Sequence, residues 1–342
     1  VPGAAGTESQ IKPGHFTLSA GWRDVRADTY FFYARPYNRA NVLERPTRAW
    51  DTIDVTGTYQ VSDRLNLALQ LPVNINRASF LEPGTGAPIE FRQNIRARSV
   101  GDLSLIARSW LFKPKEHPKG NILLGAGLRF PTGNFREKAT YADFTGRNVA
   151  DLPVPLTIMP GDGGLDIIVE ALAYRAVKVP CKGTIVFAQG NYLIAPRGTN
   201  GVPSQVATSG NPAWFLNPAV LRNDANYNSV PDGYLLRTGL IGPLLPKKKW
   251  AQGLQWQLAY RWEGSPQHDL FGSSKGFRQP GYFMAAEPGL FYQRKKHLWQ
   301  LTVPISFLRV AHPDLAQKDG SPDPRTTAFA PASVALRYTY NY

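Results

Sequence analysis

The 342-residue chain predicts an all-β fold, a transmembrane antiparallel up-and-down β-barrel of about 12 strands. Three observations carry this. Apolar residues recur at every second position in segments spread along the whole chain, which sets one row of side chains against lipid and the next against a polar lumen. Short connections alternate strictly with long ones, as in barrels whose periplasmic turns are tight and whose external loops are long. No stretch approaches the run of roughly twenty apolar residues that a membrane helix needs.

The expected strands are 15–23, 50–61, 64–74, 99–112, 119–131, 163–175, 182–195, 230–243, 249–263, 278–293, 296–310 and 331–342. In 50–61, Ile53, Val55 and Tyr59 oppose Asp54, Thr56 and Gln60. In 64–74, Leu65, Leu67, Leu69, Leu71 and Val73 oppose Asn66, Ala68, Gln70 and Asn74. The clearest strand is 249–263, where Leu254, Trp256, Leu258, Tyr260 and Trp262 alternate with Gln255, Gln257, Ala259 and Arg261. Trp299, Leu301, Val303, Ile305 and Phe307 repeat the pattern, and Val334, Leu336, Tyr338, Tyr340 and Tyr342 close the chain with it. Short turns fall near Ser62, Lys115, Val179, Lys247 and Lys295; the long connections are 24–49, 75–98, 132–162, 196–229, 264–277 and 311–330. Both ends of the barrel segment then lie on the periplasmic side. Residues 1–14 are expected to be a periplasmic tail and 15–342 one barrel domain.

Composition agrees with a barrel. Hydrophobic residues make up 43% of the chain and aromatic residues 12%, with 8 Trp and 15 Tyr, enough for two interfacial girdles. A single cysteine, Cys181, excludes an internal disulfide and a cysteine-based metal site. The formal charge of +14 invites a nucleic-acid reading, but its distribution argues against one. Much of it sits in the short turns, on Lys113, Lys115, Lys119, Arg175, Lys178, Lys182, Lys247, Lys248, Lys249, Arg294, Lys295 and Lys296. Such a basic rim at the periplasmic boundary could meet anionic headgroups of the inner leaflet, or simply keep strand ends solvated.

Inside, the alternation aims Asp54, Arg108, Arg129, Asp166, Glu170, Arg237, Arg261, Glu287, Arg309 and Arg337 at the lumen. Ionised groups persist there only when water or an opposite charge solvates them, so a wet channel, an ion-paired plug or both are implied. Arg129, Arg237, Arg261 and Arg337, with Asp166, Glu170 and Glu287, are the expected polar constriction.

Catalytic chemistry finds little support. The histidines at 15, 117, 268, 297 and 312 show no metal-ligand spacing. His15 and Ser19 share a strand but are poorly placed for a nucleophile and its base. The segment Gly161 to Asp166, GDGGLD, lacks calcium-loop spacing and reads as re-entry into a strand. Gly125 and Gly127 lie within a strand with no helix following, so a dinucleotide fold is not supported. Neither an enzyme activity nor a cofactor or metal is expected.

VGDLSLIARSWLF (Val100 to Phe112), LLGAGLRFPTGNF (Leu123 to Phe135) and PGDGGLDIIVEALAYR (Pro160 to Arg175) together resemble the outer-membrane transporter family associated with phenol meta-pathway degradation. The resemblance covers 100–175. It implies a porin-like channel in the cell outer membrane that takes up small hydrophobic or aromatic molecules without catalysis, and it carries over no binding residue. The expected partners are therefore outer-membrane lipid and a small-molecule substrate, with no nucleic acid. Aromatic residues in the long connections, Tyr30, Phe31, Phe32, Tyr33, Trp214 and Phe215, support an alternative: a structural or interaction barrel docking envelope proteins. Val1 to Gly14 lack a basic start and an apolar core, so a signal peptide is expected to have been removed already.

Overall fold

Alternating exposure is the local rule from which the architecture grows. In the computed structural model, which describes residues 12–37, 47–82, 91–142, 148–204, 226–313 and 327–342, Phe16, Leu18 and Trp22 are exposed while Thr17 and Ser19 are buried. These residues form β1 (Phe16–Ala27), and a small hairpin follows, β2 (Tyr30–Phe32) with β3 (Arg35–Tyr37). Next come β4 (Thr47–Gln60), β5 (Leu65–Glu82), β6 (Phe91–Val100), β7 (Leu103–Trp110) and β8 (Gly120–Phe130). A second outer hairpin joins β9 (Lys138–Ala142) to β10 (Asn148–Pro153). β11 (Asp166–Val177) and β12 (Thr184–Ile194) precede the short pair β13 (Thr199–Pro203) and β14 (Tyr227–Ser229). The chain ends with β15 (Gly233–Pro243), β16 (Leu254–Ser265), β17 (Gly281–Arg294), β18 (His297–Thr302), β19 (Ile305–Ala311) and β20 (Ser333–Asn341).

Every neighbouring pair in the main sheet is antiparallel, and the sheet closes on itself where β1 meets β20, from Thr17 opposite Asn341 to Val25 opposite Ser333. Two passes are interrupted. β6 and β7 both pair with β5 across a break at Gly101 and Asp102; β18 and β19 both pair with β17 across Val303 and Pro304, whose proline lacks a ladder donor. Counting each broken pair as one pass, the result is a closed 12-stranded barrel, as the sequence predicts.

Large apolar side chains are exposed on the outer wall, among them Ile53, Val55, Leu67, Leu69, Leu124, Leu258, Trp299 and Phe307. A soluble protein does not display such a continuous belt, whereas lipid requires one. Aromatic contacts border it at both ends. Tyr192, Tyr234, Trp262, Tyr282, His312 and Tyr33 form a chain of ring contacts at the loop end. At the turn end Phe16 meets Tyr342, Tyr342 meets Tyr340, and Trp299 meets Tyr338. These are the two girdles that the aromatic content predicts.

Strand extents differ from expectation mainly at the loop end. β5 and β6 run to Glu82 and from Phe91, so most of the expected connection 75–98 is a paired ribbon projecting beyond the belt. The break at Gly101 and Asp102 also inverts the facing of alternate residues. Leu105 points outward and Ile106 inward in β7, yet Arg96 and Arg98 are exposed and Ile95 and Ala97 buried in β6. The connections 24–49, 132–162 and 196–229 carry the three small hairpins rather than loop alone. Residues 1–11 of the expected tail, and Trp214 and Phe215, lie outside the described residues.

Candidate functional site

The lumen is layered from turns to loops. On its periplasmic floor Trp110, Leu123, Leu172, Tyr174, Phe187, Ile241, Ala259, Phe291 and Leu298 form a buried apolar cluster. Pure alternation of apolar outside and polar inside does not anticipate this floor, which fills one side of the barrel with packed side chains. The other side stays polar. A cavity of 350 Å³ descends past Thr17, Ser19, Thr56, Thr58 and Gln60 on β1 and β4, and past Thr339 and Asn341 on β20.

Above the floor lies an ionic layer. Glu287, fully buried on β17, receives hydrogen bonds from Arg237 of β15, from the Gln257 amide at 2.9 Å and from Arg261 of β16 at 3.0 Å. Arg261 also donates to Glu263 at 2.8 Å, and Arg23 of β1 approaches Glu263 at 3.9 Å. On a separate part of the wall Arg108 pairs with Glu170. That pair depends on Gly125, directly opposite Glu170, because a β-carbon there would lie 2.5 Å from the Glu170 side chain. Breaking a buried pair by deleting one partner costs about 3–5 kcal/mol, so these groups hold the wall as well as line it.

A larger cavity of 740 Å³ opens above, reaching Trp50, Ile106, Met159, Ile168, Phe283 and Phe329. It meets the lower cavity at Arg23, Gln70, Glu170, Asn191, Leu235 and Arg261, the level of the ionic layer. One wall of the upper cavity is not a strand. The chain between β10 and β11 folds inward and is latched by inward-facing side chains: Trp50 Nε1 donates to Thr157 O at 2.6 Å, Asn74 Nδ2 to Pro160 O at 3.0 Å, and Asn76 Nδ2 to Ile158 O at 3.1 Å.

The same segment is pinned at its end by Asp102, whose carboxylate accepts from Gly133 N at 2.9 Å and from Asp162 N at 3.1 Å. Gly133 and Gly161 touch backbone to backbone; a β-carbon on Gly161 would sit 2.7 Å from the Gly133 carbonyl carbon. Arg129 closes the cluster by pairing with both Asp162 and Asp166. Arg197 and Asn200 extend it, donating to Gly163 O at 2.7 Å and Asp162 O at 2.9 Å.

The seven residues expected at one constriction therefore occupy separate places. Arg237, Arg261 and Glu287 are bonded together, Glu170 pairs with Arg108 over Gly125 on a separate part of the wall, and Arg337 lines the lower cavity beside Gly21. Arg129 and Asp166 belong to the loop-end latch. Asp54 lines the lower cavity, while Arg309 stacks over the Phe31 ring at 4.6 Å. The basic rim residues Lys113, Lys115, Lys119, Arg175, Lys178, Lys182, Lys247, Lys248, Lys249, Arg294, Lys295 and Lys296 are all exposed at the turn end. Sequence reading gave no role to Arg23, Glu263, Asp102, Asp162, Asn76 and Trp50, and placed Asn74 in an inward row without one. Its one available signal was the recurrence of Gly-Asp at 101–102 and 161–162 beside Pro-Thr-Gly at 131–133.

Among the described residues no cluster of three or more metal-ligating side chains occurs. His15 Nδ1 contacts Tyr342 O at 2.6 Å and Ser19 Oγ bonds the Thr339 hydroxyl at 2.8 Å, so the two do not address each other.

No family model matches the chain, and no curated protein sequence matches it. Solved structures do. The fold is similar to an outer membrane channel from Pseudomonas putida F1, with TM-score 0.57, 12% identity and 97% of each chain covered. The P. putida toluene transporter TodX aligns with TM-score 0.46 and 11% identity over 98% of this chain and 92% of that one. The beta domain of the Bordetella autotransporter BrkA gives 0.45 and 11% over 96% and 100%. At such identities the likeness is one of fold, and the first of these supports the same barrel architecture.

Proposed function

We propose that the protein is an outer-membrane channel for passive uptake of small hydrophobic or aromatic molecules. The observation that carries this is the upper cavity: 740 Å³ of lumen where Trp50, Ile106, Met159, Ile168, Phe283 and Phe329 share the wall with polar side chains such as Thr52, Asn76 and Gln279, above a polar lower cavity. The apolar patches give a poorly soluble solute somewhere to leave water, and the polar groups among them orient it. The similar solved structures include a channel and a toluene transporter, which agrees in kind. A role in aromatic degradation of the phenol meta type rests on the resemblance of residues 100–175. Purified protein in liposomes tests the proposal. Uptake of a labelled monoaromatic above that of protein-free vesicles is expected, and equal uptake contradicts it.

An interaction role has one observation in its favour. Leu270 and Phe271, on the loop between β16 and β17, are 60% and 61% exposed beyond the belt, where lipid does not explain them. Co-purification of envelope proteins under mild detergent, lost in Leu270→Ser/Phe271→Ser, is the expected sign of docking; a barrel that always purifies alone contradicts it.

A further inference from the structure

The outer wall of β1, β4, β5 and β6 changes character abruptly at its loop end. Pairing registers place Trp22, Ile53, Val73 and Val100 side by side in one outward row, the last apolar row of the belt. The next row reads Asp24, Asp51, Ile75 and Arg98, and the one above it Arg26, Ala49, Arg77 and Arg96. Four arginines thus stand within two rows of lipid, at the depth where headgroups begin.

Their pairing is uneven. Arg26 bonds Asp24 at 2.7 Å, and Arg77 approaches Asp51 at 3.5 Å. Asp24 and Asp51 thus offset part of the charge of those two cations. Arg96 and Arg98 are exposed and make no ion pair among the described residues. Arg96 directly opposes Arg77, and like charges directly opposite across a ladder are destabilising. A strand end that merely needed wetting would not concentrate cations in this way on a single face. An anion between Arg77, Arg96 and Arg98 relieves the repulsion, and planar guanidinium groups suit phosphate because they can grip two oxygens at once.

We infer that this four-strand face binds the phosphate-bearing headgroup of an outer-leaflet glycolipid, with its acyl chains lying against Val73, Val100, Ile53 and Trp22. The inference rests on the outer-membrane reading, which fixes the leaflet that meets the loop end. It is distinct from the basic turns at the opposite rim. An acyl chain on the apolar row and a phosphate on the arginines are supplied by one molecule, which a free phosphate ion cannot do.

The test compares retention of lipopolysaccharide after detergent exchange, measured as lipid per folded barrel by native mass spectrometry. Wild-type protein is expected to retain it, and Arg96→Gln/Arg98→Gln to lose about tenfold, while Lys295→Gln/Lys296→Gln at the turns retains it in full. The Arg96→Lys/Arg98→Lys variant should fall between, since charge survives but the forked geometry does not. Dephosphorylated glycolipid should be retained as poorly as by the glutamine variant, and millimolar inorganic phosphate should not displace the intact lipid. Undiminished retention by Arg96→Gln/Arg98→Gln, equal loss in the turn variant, equal retention of the dephosphorylated lipid, or displacement by inorganic phosphate would each overturn the proposal. Both arginines are exposed, so the variants should fold, and heat-modifiable gel mobility checks this. Arginine-dependent retention by a barrel that passes no solute would leave this site standing and remove the transport reading alone.

Discussion

Glu287 is the residue on which most of the lumen's ionic layer converges. Two guanidiniums and an amide donate to one buried carboxylate, so Glu287→Gln leaves Arg237 with an uncompensated positive charge and Arg261 with Glu263 as its remaining partner. The expected loss is roughly 3–5 kcal/mol, read from urea unfolding in lipid vesicles, and a variant of wild-type stability contradicts the network. Arg337 tests a different role. It lines the lower cavity, so Arg337→Gln should shift the reversal potential toward cations, whereas Arg237→Gln should change stability more than selectivity because Arg237 is buried against Glu287. Identical reversal potentials for wild type and Arg337→Gln would place the ion path elsewhere. That charges of both signs point inward was legible in the sequence, because alternation decides facing one residue at a time. Which arginine meets which carboxylate was not. Arg108 and Glu170 are 62 positions apart, and it is the registers of β7 and β11 on either side of β8 that bring them together over Gly125.

At the scale of elements, the segment between β10 and β11 forms one wall of the upper cavity. The carbonyls of Thr157, Pro160 and Ile158 have no ladder partner and are satisfied by Trp50, Asn74 and Asn76, while those of Pro155 and Leu156 close a short turn of their own. Asn74→Ala/Asn76→Ala removes two of the three latches and should raise single-channel conductance and its noise in planar bilayers. Conductance that stays at the wild-type value means the segment does not limit the path. Strand positions were readable because lipid enforces the alternation across the belt. Past the belt that pressure ends. Arg96 and Arg98 outside with Ile95 and Ala97 inside still alternate, but with the polar face outward, so the ribbon formed by β5 and β6 reads as loop. The inversion at Gly101 and Asp102 carries no local signal beyond a glycine, and its partners Gly133 and Asp162 are 31 and 60 residues away.

For the whole molecule, topology follows from one rule repeated: neighbours in sequence pair antiparallel, and the last strand finds the first. The belt, the two girdles, the basic turns and the long connections then fall into place around a single axis. The apolar floor is where that rule gives an incomplete picture, since Trp110, Leu123 and Leu172 face inward to pack rather than outward to lipid. The most direct test of the account is a spin-label scan along β4 in lipid vesicles, reading collisions with oxygen, which partitions into lipid, and with a water-soluble nickel chelate. Labels at Ile53 and Val55 should favour oxygen and labels at Asp54 and Thr58 the chelate, switching at each step from 53 to 55. A profile without that switch, or one in which all four positions meet water alike, would contradict a wall with lipid on one face and a lumen on the other.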